Sequence, residues 1–303
     1  MNRPALLATI FSLLIPFAPL YADVASDLNK GLSLERARDN ALAQGMSLEQ
    51  FTAEAVRLSP VAAVVVTKVS HNKSPEQIVT IVQAAVGASR TREVPDVVAA
   101  GATLAPTKAG ELVDSAVTAK PTMAPEIAAA AVTIVPDQAS DIAIATAKKQ
   151  PGQVSKIGAA VSKAAPSQAT QIAANLAKEF PDQAPQIAAA IAKDFPEQAA
   201  EIALATTVAV PDQAPKIAAA VASAVPDQAS NVLVAVTSIS PGMEAQIQEA
   251  AILAGIDPTL VMAATAAGPA AVPAAGPGVT VGAPLPVAPV GGGGSGGGVA
   301  SPS

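Results

Sequence analysis

Few side chains in this chain could do chemistry. His71 is the one imidazole among 303 residues, and Ser295 lies in Gly293-Gly294-Ser295-Gly296-Gly297, which has the spacing of a nucleophile elbow. That elbow requires a strand, a sharp turn and a helix, whereas 291–298 is a run of GGGGSGGG. His71 falls in His71-Asn72-Lys73-Ser74, a polar stretch ahead of Pro75, and reads as a loop residue rather than a general base, since no nucleophile–base pairing is evident around it. Asn72-Lys73-Ser74 has the form of a glycosylation acceptor, but it precedes a proline and is not supported elsewhere. There is no cysteine, so disulfides, thiolate zinc sites and thiol nucleophiles are excluded. The residues give no catalytic, cofactor-binding or metal site and no cofactor, and the chain is not expected to be an enzyme.

One row of polar side chains stands out. Gln138, Gln153, Gln168, Gln183, Gln198, Gln213 and Gln228 recur every fifteen residues. Such amides could line a surface that takes a glycan or another chain; the simpler reading is that they satisfy backbone groups near helix starts or bridge adjacent turns. Lys148, Lys149, Lys163, Lys178 and Lys193 fall near expected helix ends, where a cation opposes the helix dipole.

The row belongs to a repeat that dominates the sequence. Prolines stand at 106, 121, 136, 151, 166, 181, 196, 211, 226 and 241. Pro60 and Pro75 keep the same spacing, and one inserted residue before Thr91 restores the frame. Copies such as PDQAPQIAAAIAKDF (181–195) and PDQAPKIAAAVASAV (211–225) place apolar residues at positions 4, 7, 8, 11 and 12 and often 15. This is the spacing of one helix face, so each unit should be one helix of about 11 residues with a short connection. Position 2 is mostly Asp, Glu, Ser, Thr or Gly, which predicts a helix N-cap. Pro125, Pro185 and Pro215 at position 5 then fall in the first turn, where no intrahelical N–H bond is lost. A competing frame starts the helix at the proline, with Ser74-Pro75-Glu76-Gln77 as a capping box.

One short helix cannot bury enough apolar area to offset the entropy of ordering fifteen residues. Stacked neighbours can share a core, so the expected fold is all-α: an α-solenoid of antiparallel helices in thirty-residue hairpins. A solenoid with one helix per coil and an extended return is the alternative. A continuous long helix is opposed by a proline in every unit. In general build the array resembles alanine-rich helical repeats of the HEAT-like kind, without a defined family's signature, and no site residue follows from that resemblance.

Residues 1–22, with Arg3, an apolar stretch from Ala5 to Leu20 and a small residue at Ala22, have the pattern of a signal peptide; Pro16 and Pro19 interrupt what a membrane span would need. Their removal would leave 17 basic against 24 acidic residues and three aromatic side chains, Phe51, Phe180 and Phe195. Nucleic acid is a poor partner for such a chain. Residues 23–59, rich in charge at Glu35, Arg36, Arg38 and Asp39, read as an N-terminal helical cap with a polar outer face, and Ser47-Leu48-Glu49-Gln50 as a capping box. The array spans 60–255, and 256–268 read as a C-terminal cap. The uncharged Pro/Gly/Ala-rich tail, 269–303, is expected to be disordered.

The expected function is therefore that of an exported structural or protein-interaction scaffold in the periplasm, at the cell surface or in the extracellular matrix, with a protein partner or self-association. The apolar excess of many units suggests more hydrophobic surface than the stack buries. The alternative, a membrane-surface or lipid-associating protein, is disfavoured because amphipathic surface helices favour Lys/Arg and boundary Trp/Phe.

Overall fold

The computed structural model describes residues 24–266. The signal peptide and tail expected at 1–22 and 269–303 lie outside them. Among the described residues the regular structure is helical. An N-terminal group, α1 (Val24–Asn29), α2 (Leu34–Ala43) and α3 (Leu48–Leu58), leads into helices of 11 residues: α4 (Ala63–Lys73), α5 (Ile78–Ala88), α6 (Val94–Leu104), α7 (Ala109–Ala119), α8 (Ala124–Ile134), α9 (Ala139–Lys149), α10 (Val154–Ala164), α11 (Ala169–Glu179), α12 (Ala184–Asp194), α13 (Ala199–Ala209), α14 (Ala214–Ala224) and α15 (Ala229–Ile239). Then follow α16 (Glu244–Leu253) and α17 (Pro258–Ala266).

The fifteen-residue period divides into a three-residue 3-10 turn, the α-helix and one linking residue. In the unit that begins at Pro181, the turn is Pro181–Gln183, the helix α12, and the link Phe195. Linking residues share one backbone conformation, with Phe180 at φ −128°, ψ 66° and Val210 at φ −139°, ψ 76°. Two hydrogen bonds define each corner. Phe180 N–H donates to Leu176 O at 2.9 Å, and Gln183 N–H donates to Phe180 O at 3.0 Å. The residue between these donors that opens the turn has no helical acceptor for an N–H, which is why proline fits there at no cost and why its fixed φ favours the turn.

This corner corrects two expectations. Position 2 is not the N-cap: Asp137, Asp182 and Asp212 sit inside the 3-10 turns, and no side chain caps the helices that follow. Their carboxylates still stand where the helix dipole favours negative charge. Ser74 likewise makes no cap bond, because the turn that begins at Pro75 already uses the backbone donor a serine would receive: Gln77 N–H goes to Ser74 O at 3.1 Å. Pro125, Pro185 and Pro215 do lie in the first turns of α8, α12 and α14. The extra residue at 90 is absorbed in the connection, where Ser89 and Arg90 are both extended.

From α3 onward each helix packs against its neighbour and against the helix two ahead. The result is two layers, the even helices α4 to α16 and the odd helices α3 to α17, joined as antiparallel hairpins. The one-helix-per-coil alternative fails for a geometric reason: one linking residue and a 3-10 turn leave no length for an extended return.

Positions 4, 7, 8, 11 and 12 face the interlayer core. In α12 these are Ala184, Ile187, Ala188, Ile191 and Ala192, all fully buried. Ile127, Ile142, Ile157, Ile172, Ile187 and Ile202 repeat at position 7 and are among the largest fully buried side chains. Each contributes about 2–3 kcal/mol of burial, and they belong to one cluster that runs from Val24 to Ala264.

The ends are built differently. Helices α1 and α16 stop at Gly31 (φ 79°) and Gly255 (φ 87°). Gly255 N–H bonds Ile252 O at 2.9 Å and Ile256 N–H bonds Ala251 O at 3.1 Å, a Schellman closure that needs a left-handed residue. At α3 the capping box is complete: Gln50 N–H donates to Ser47 Oγ at 3.2 Å and Ser47 N–H to Gln50 Oε1 at 2.9 Å. Arg38, expected on the polar outer face, turns inward instead and is 8% exposed. Its guanidinium donates to Val69 O at 2.8 Å and to Asp39 at 2.8 Å, tying α2 to α4.

Candidate interaction surfaces

The glutamines form a ladder along the stack. Gln138 donates from Nε2 to Pro106 O at 3.1 Å, Gln153 to Pro121 O at 3.0 Å, Gln168 to Pro136 O at 2.8 Å and Gln183 to Pro151 O at 3.3 Å. Each rung joins position 3 of one unit to position 1 of the unit two before it, within one layer. The amides thus bridge adjacent turns and do not cap their own helices. Their donor hydrogens are directed at the backbone, so along 138–183 the row is bonded to the protein itself.

The lysines extend the same logic at the other end of the helices. Lys148 pairs with Glu179 at 2.7 Å and Lys163 with Asp194 at 2.9 Å, each joining position 13 to position 14 of the next unit in its layer. The Lys148 ammonium beside Glu179 lowers that carboxylate's pKa. Lys149 pairs with Asp114 at 2.6 Å and donates to Thr118 Oγ1 at 3.0 Å. Toward the C-terminal end the series stops, because the positions that would face Lys178 and Lys193 are Ala209 and Ala224.

His71 is in the last turn of α4 rather than in a loop. The repeat frame makes it position 12, and burial of Val66, Val69 and Ser70 carries the helix through the polar residues. Its Nδ1 is buried without a hydrogen-bond partner. Asn72 and Lys73 share that last turn. Among the described residues no group of three or more His, Cys, Asp or Glu could hold a metal. Ser295 and its glycines lie outside the described residues.

A signal missed in the sequence separates the layers. Positions 9 and 10 are Ala-Ala in successive even helices, at 99–100, 129–130, 159–160, 189–190 and 219–220, while odd helices carry Asp114-Ser115, Ile144-Ala145, Ala174-Asn175, Leu204-Ala205 and Val234-Ala235. A thirty-residue period at these two positions would have shown it. On the odd layer the larger residues make cross-links such as Asn175 Nδ2 to Ser140 Oγ at 3.1 Å.

Exposed large apolar side chains are not spread along the array. Between Lys68 and Ala205 only Ile134 qualifies, at 38% exposure. The central units therefore use nearly all their apolar residues internally, contrary to the expected excess. The excess gathers at Leu58, Val61 and Val65 near one end, and at Val208, Ile239, Ile252, Leu253 and Met262 toward the other. At position 12 the interior units are buried, as at Val117, Val132 and Ala192. Ile252, at the same position in the last full unit, is 42% exposed.

Known proteins offer no closer guide. No family model, curated protein or solved structure matches the chain. No helix among the described residues is long and apolar enough to cross a membrane.

Proposed function

We propose that the chain is an exported, non-enzymatic repeat protein that serves as a structural or protein-interaction scaffold in the periplasm, at the cell surface or in the extracellular matrix. The observation that carries this reading is the consumption of the repeat's side chains by the stack itself. Five apolar positions per unit enter one continuous core, and the recurrent amides and lysines bond along the layers. Such a frame holds solvent-facing positions at a fixed spacing, which suits binding along its length or assembly at its ends. Export rests on the signal-peptide pattern of residues 1–22.

The test is crosslinking in intact cells, with a photoreactive residue at Glu126, Lys156, Lys216 or Leu253, all solvent-exposed. Discrete protein adducts support a scaffold. Lipid adducts alone, or no adduct at any of the four positions, overturn it. Mass spectrometry of the recovered chain should find Asp23 as the first residue; an intact Met1 overturns export by cleavage.

A further inference from the structure

Between Pro60 and Pro241 the fifteen-residue spacing is broken in one place, at Arg90. The break coincides with an uneven placement of arginine. Of the six arginines, Arg3 is followed by Pro4, Arg36 and Arg38 lie in α2 and Arg57 in α3. Arg92 is the middle residue of the 3-10 turn Thr91–Glu93. Among the described arginines Arg90 alone stands in extended backbone, at φ −71° and ψ 160°, and Ser89 before it is extended too, at φ −68° and ψ 152°. Arg90, Thr91 and Arg92 are all exposed.

Elsewhere the corner shields its own peptide bond. The link is a single residue, and the residue after it is proline. Lys120 is the other basic residue at a linking position, with φ −140° and ψ 78°, but its peptide bond leads into Pro121, where the ring and the missing N–H deny a protease an ordinary secondary amide. The unit at 91 has Thr in that place. Its bond to Arg90 is an ordinary amide behind an exposed guanidinium.

We infer that the Arg90–Thr91 peptide is a processing site for an arginine-specific endoprotease, cut while the array stays folded. Such an enzyme seats the guanidinium against an acid in its specificity pocket, and exposed connections are where folded chains are nicked. Hydrolysis adds the hydroxyl of a water to the Arg90 carbonyl carbon and breaks the C–N bond, with the second hydrogen going to the Thr91 nitrogen. The acid proton then passes to the amine, leaving an Arg90 carboxylate and a Thr91 ammonium. Ser89 sets the rate. It is 3% exposed, and its N–H and its hydroxyl both donate to Ala85 O at 2.8 Å, so the last turn of α5 has to open before the segment enters a protease cleft. The cut releases no fragment, because Ile81, Val82 and Val86 of α5 and Val94, Val97 and Val98 of α6 belong to one buried cluster. The inference is independent of the scaffold reading.

The experiment treats the purified full chain in neutral buffer with an endoprotease that cleaves after arginine, and sequences the N-termini that appear. The wild type is expected to give Thr91 as the first new N-terminus. The nicked chain should keep its size on gel filtration and separate into two pieces only in denaturant. Arg90→Gln should lose the cut. Thr91→Pro, which puts the array's usual residue at this position, should lose it as well with Arg90 still present, and circular dichroism confirms the fold of both variants. First cleavage at Arg36, Arg38, Arg57 or Arg92 overturns the inference, as does a Thr91→Pro chain cut at the wild-type rate. So does a native chain left intact while the urea-unfolded chain is digested. A nicked chain that falls apart without denaturant overturns cleavage within a folded array.

Discussion

Gln168 Nε2 donates to the carbonyl oxygen of Pro136 across 2.8 Å, thirty-two residues earlier in the chain. The bond joins two units that are not neighbours in sequence but are neighbours within one layer, and Gln138, Gln153 and Gln183 repeat it. Replacing all four with Ala is expected to lower stability by about 2 kcal/mol, roughly 0.5 for each exposed bond, with little change in the far-ultraviolet spectrum. Gln213, at the same position but without this bond, serves as the control. Urea titration of Gln213→Ala should match wild type, and equal losses at Gln168 and Gln213 would refute a role for the bond.

A second expectation concerns the continuity of the core. Ile187 and Ile217 are fully buried at position 7, and Asp at either site leaves an unpaired charge there, at a cost of more than about 3 kcal/mol. Because both belong to a single cluster, helical signal should be lost together over several units. Hydrogen exchange that rises only within 181–195 or 211–225 would mean that the units fold independently.

Two glycines should respond in opposite ways to alanine. Both lie in buried helix, where Ala is favoured by about 1 kcal/mol. A Cβ at Gly101 would meet Val82 Cγ2 at 2.7 Å, and valine is stiff at χ1, so overpacking should win and Gly101→Ala should destabilise. At Gly158 the nearest atoms are the terminal methyls Leu176 Cδ1 at 2.9 Å and Ile191 Cδ1 at 3.3 Å. These can swing aside, so Gly158→Ala should be neutral or stabilising. Thermal midpoints of the two variants test the contrast.

Ser162 is fully buried and its hydroxyl has no hydrogen-bond partner. Position 12 carries Ala at 147, 177, 192 and 222, so the site accepts a methyl group. Ser162→Ala should stabilise by about 1 kcal/mol, the cost of an unmet buried hydroxyl. A lower midpoint in urea would show that the hydroxyl is satisfied in solution.

Acid should loosen the ends first. Four carboxylates at helix starts in the terminal segments have lowered pKa values. Glu35 and Glu49 are lowered first by hydrogen bonds from their own backbone N–H groups, Glu244 by the Gly242 N–H, and Asp257 by the Thr259 hydroxyl. A carboxylate lowered in the folded state stabilises fully above its unfolded value of about 4, and that contribution is lost as pH falls through the folded value. Brief pepsin digestion in acid should therefore cut first within 24–59 or 241–266. First cuts inside the central units would contradict this.

Much of the architecture was legible because the physics that sets it is local. The Pro period, the five apolar positions and the missing cysteines determined a stack of eleven-residue helices with a shared core, since a helix face and a proline corner are read within one unit. The Ser47 capping box was legible for the same reason. The position-2 cap and the Ser74 box were misread because a 3-10 turn and an α-helix start use the same residues, and only backbone hydrogen bonds tell them apart. His71 as a loop and Arg38 as a surface charge were misread because burial depends on which helix lies two units away.

What the sequence could not decide was pairing across thirty residues. The glutamine rungs, the ion pairs of Lys148 and Lys163 and the alternation of Ala-Ala between layers all arise between units that meet only when hairpins stack. A side chain's partner is set by distance in space, and in this chain the nearest neighbour in a layer is always one whole hairpin away in sequence.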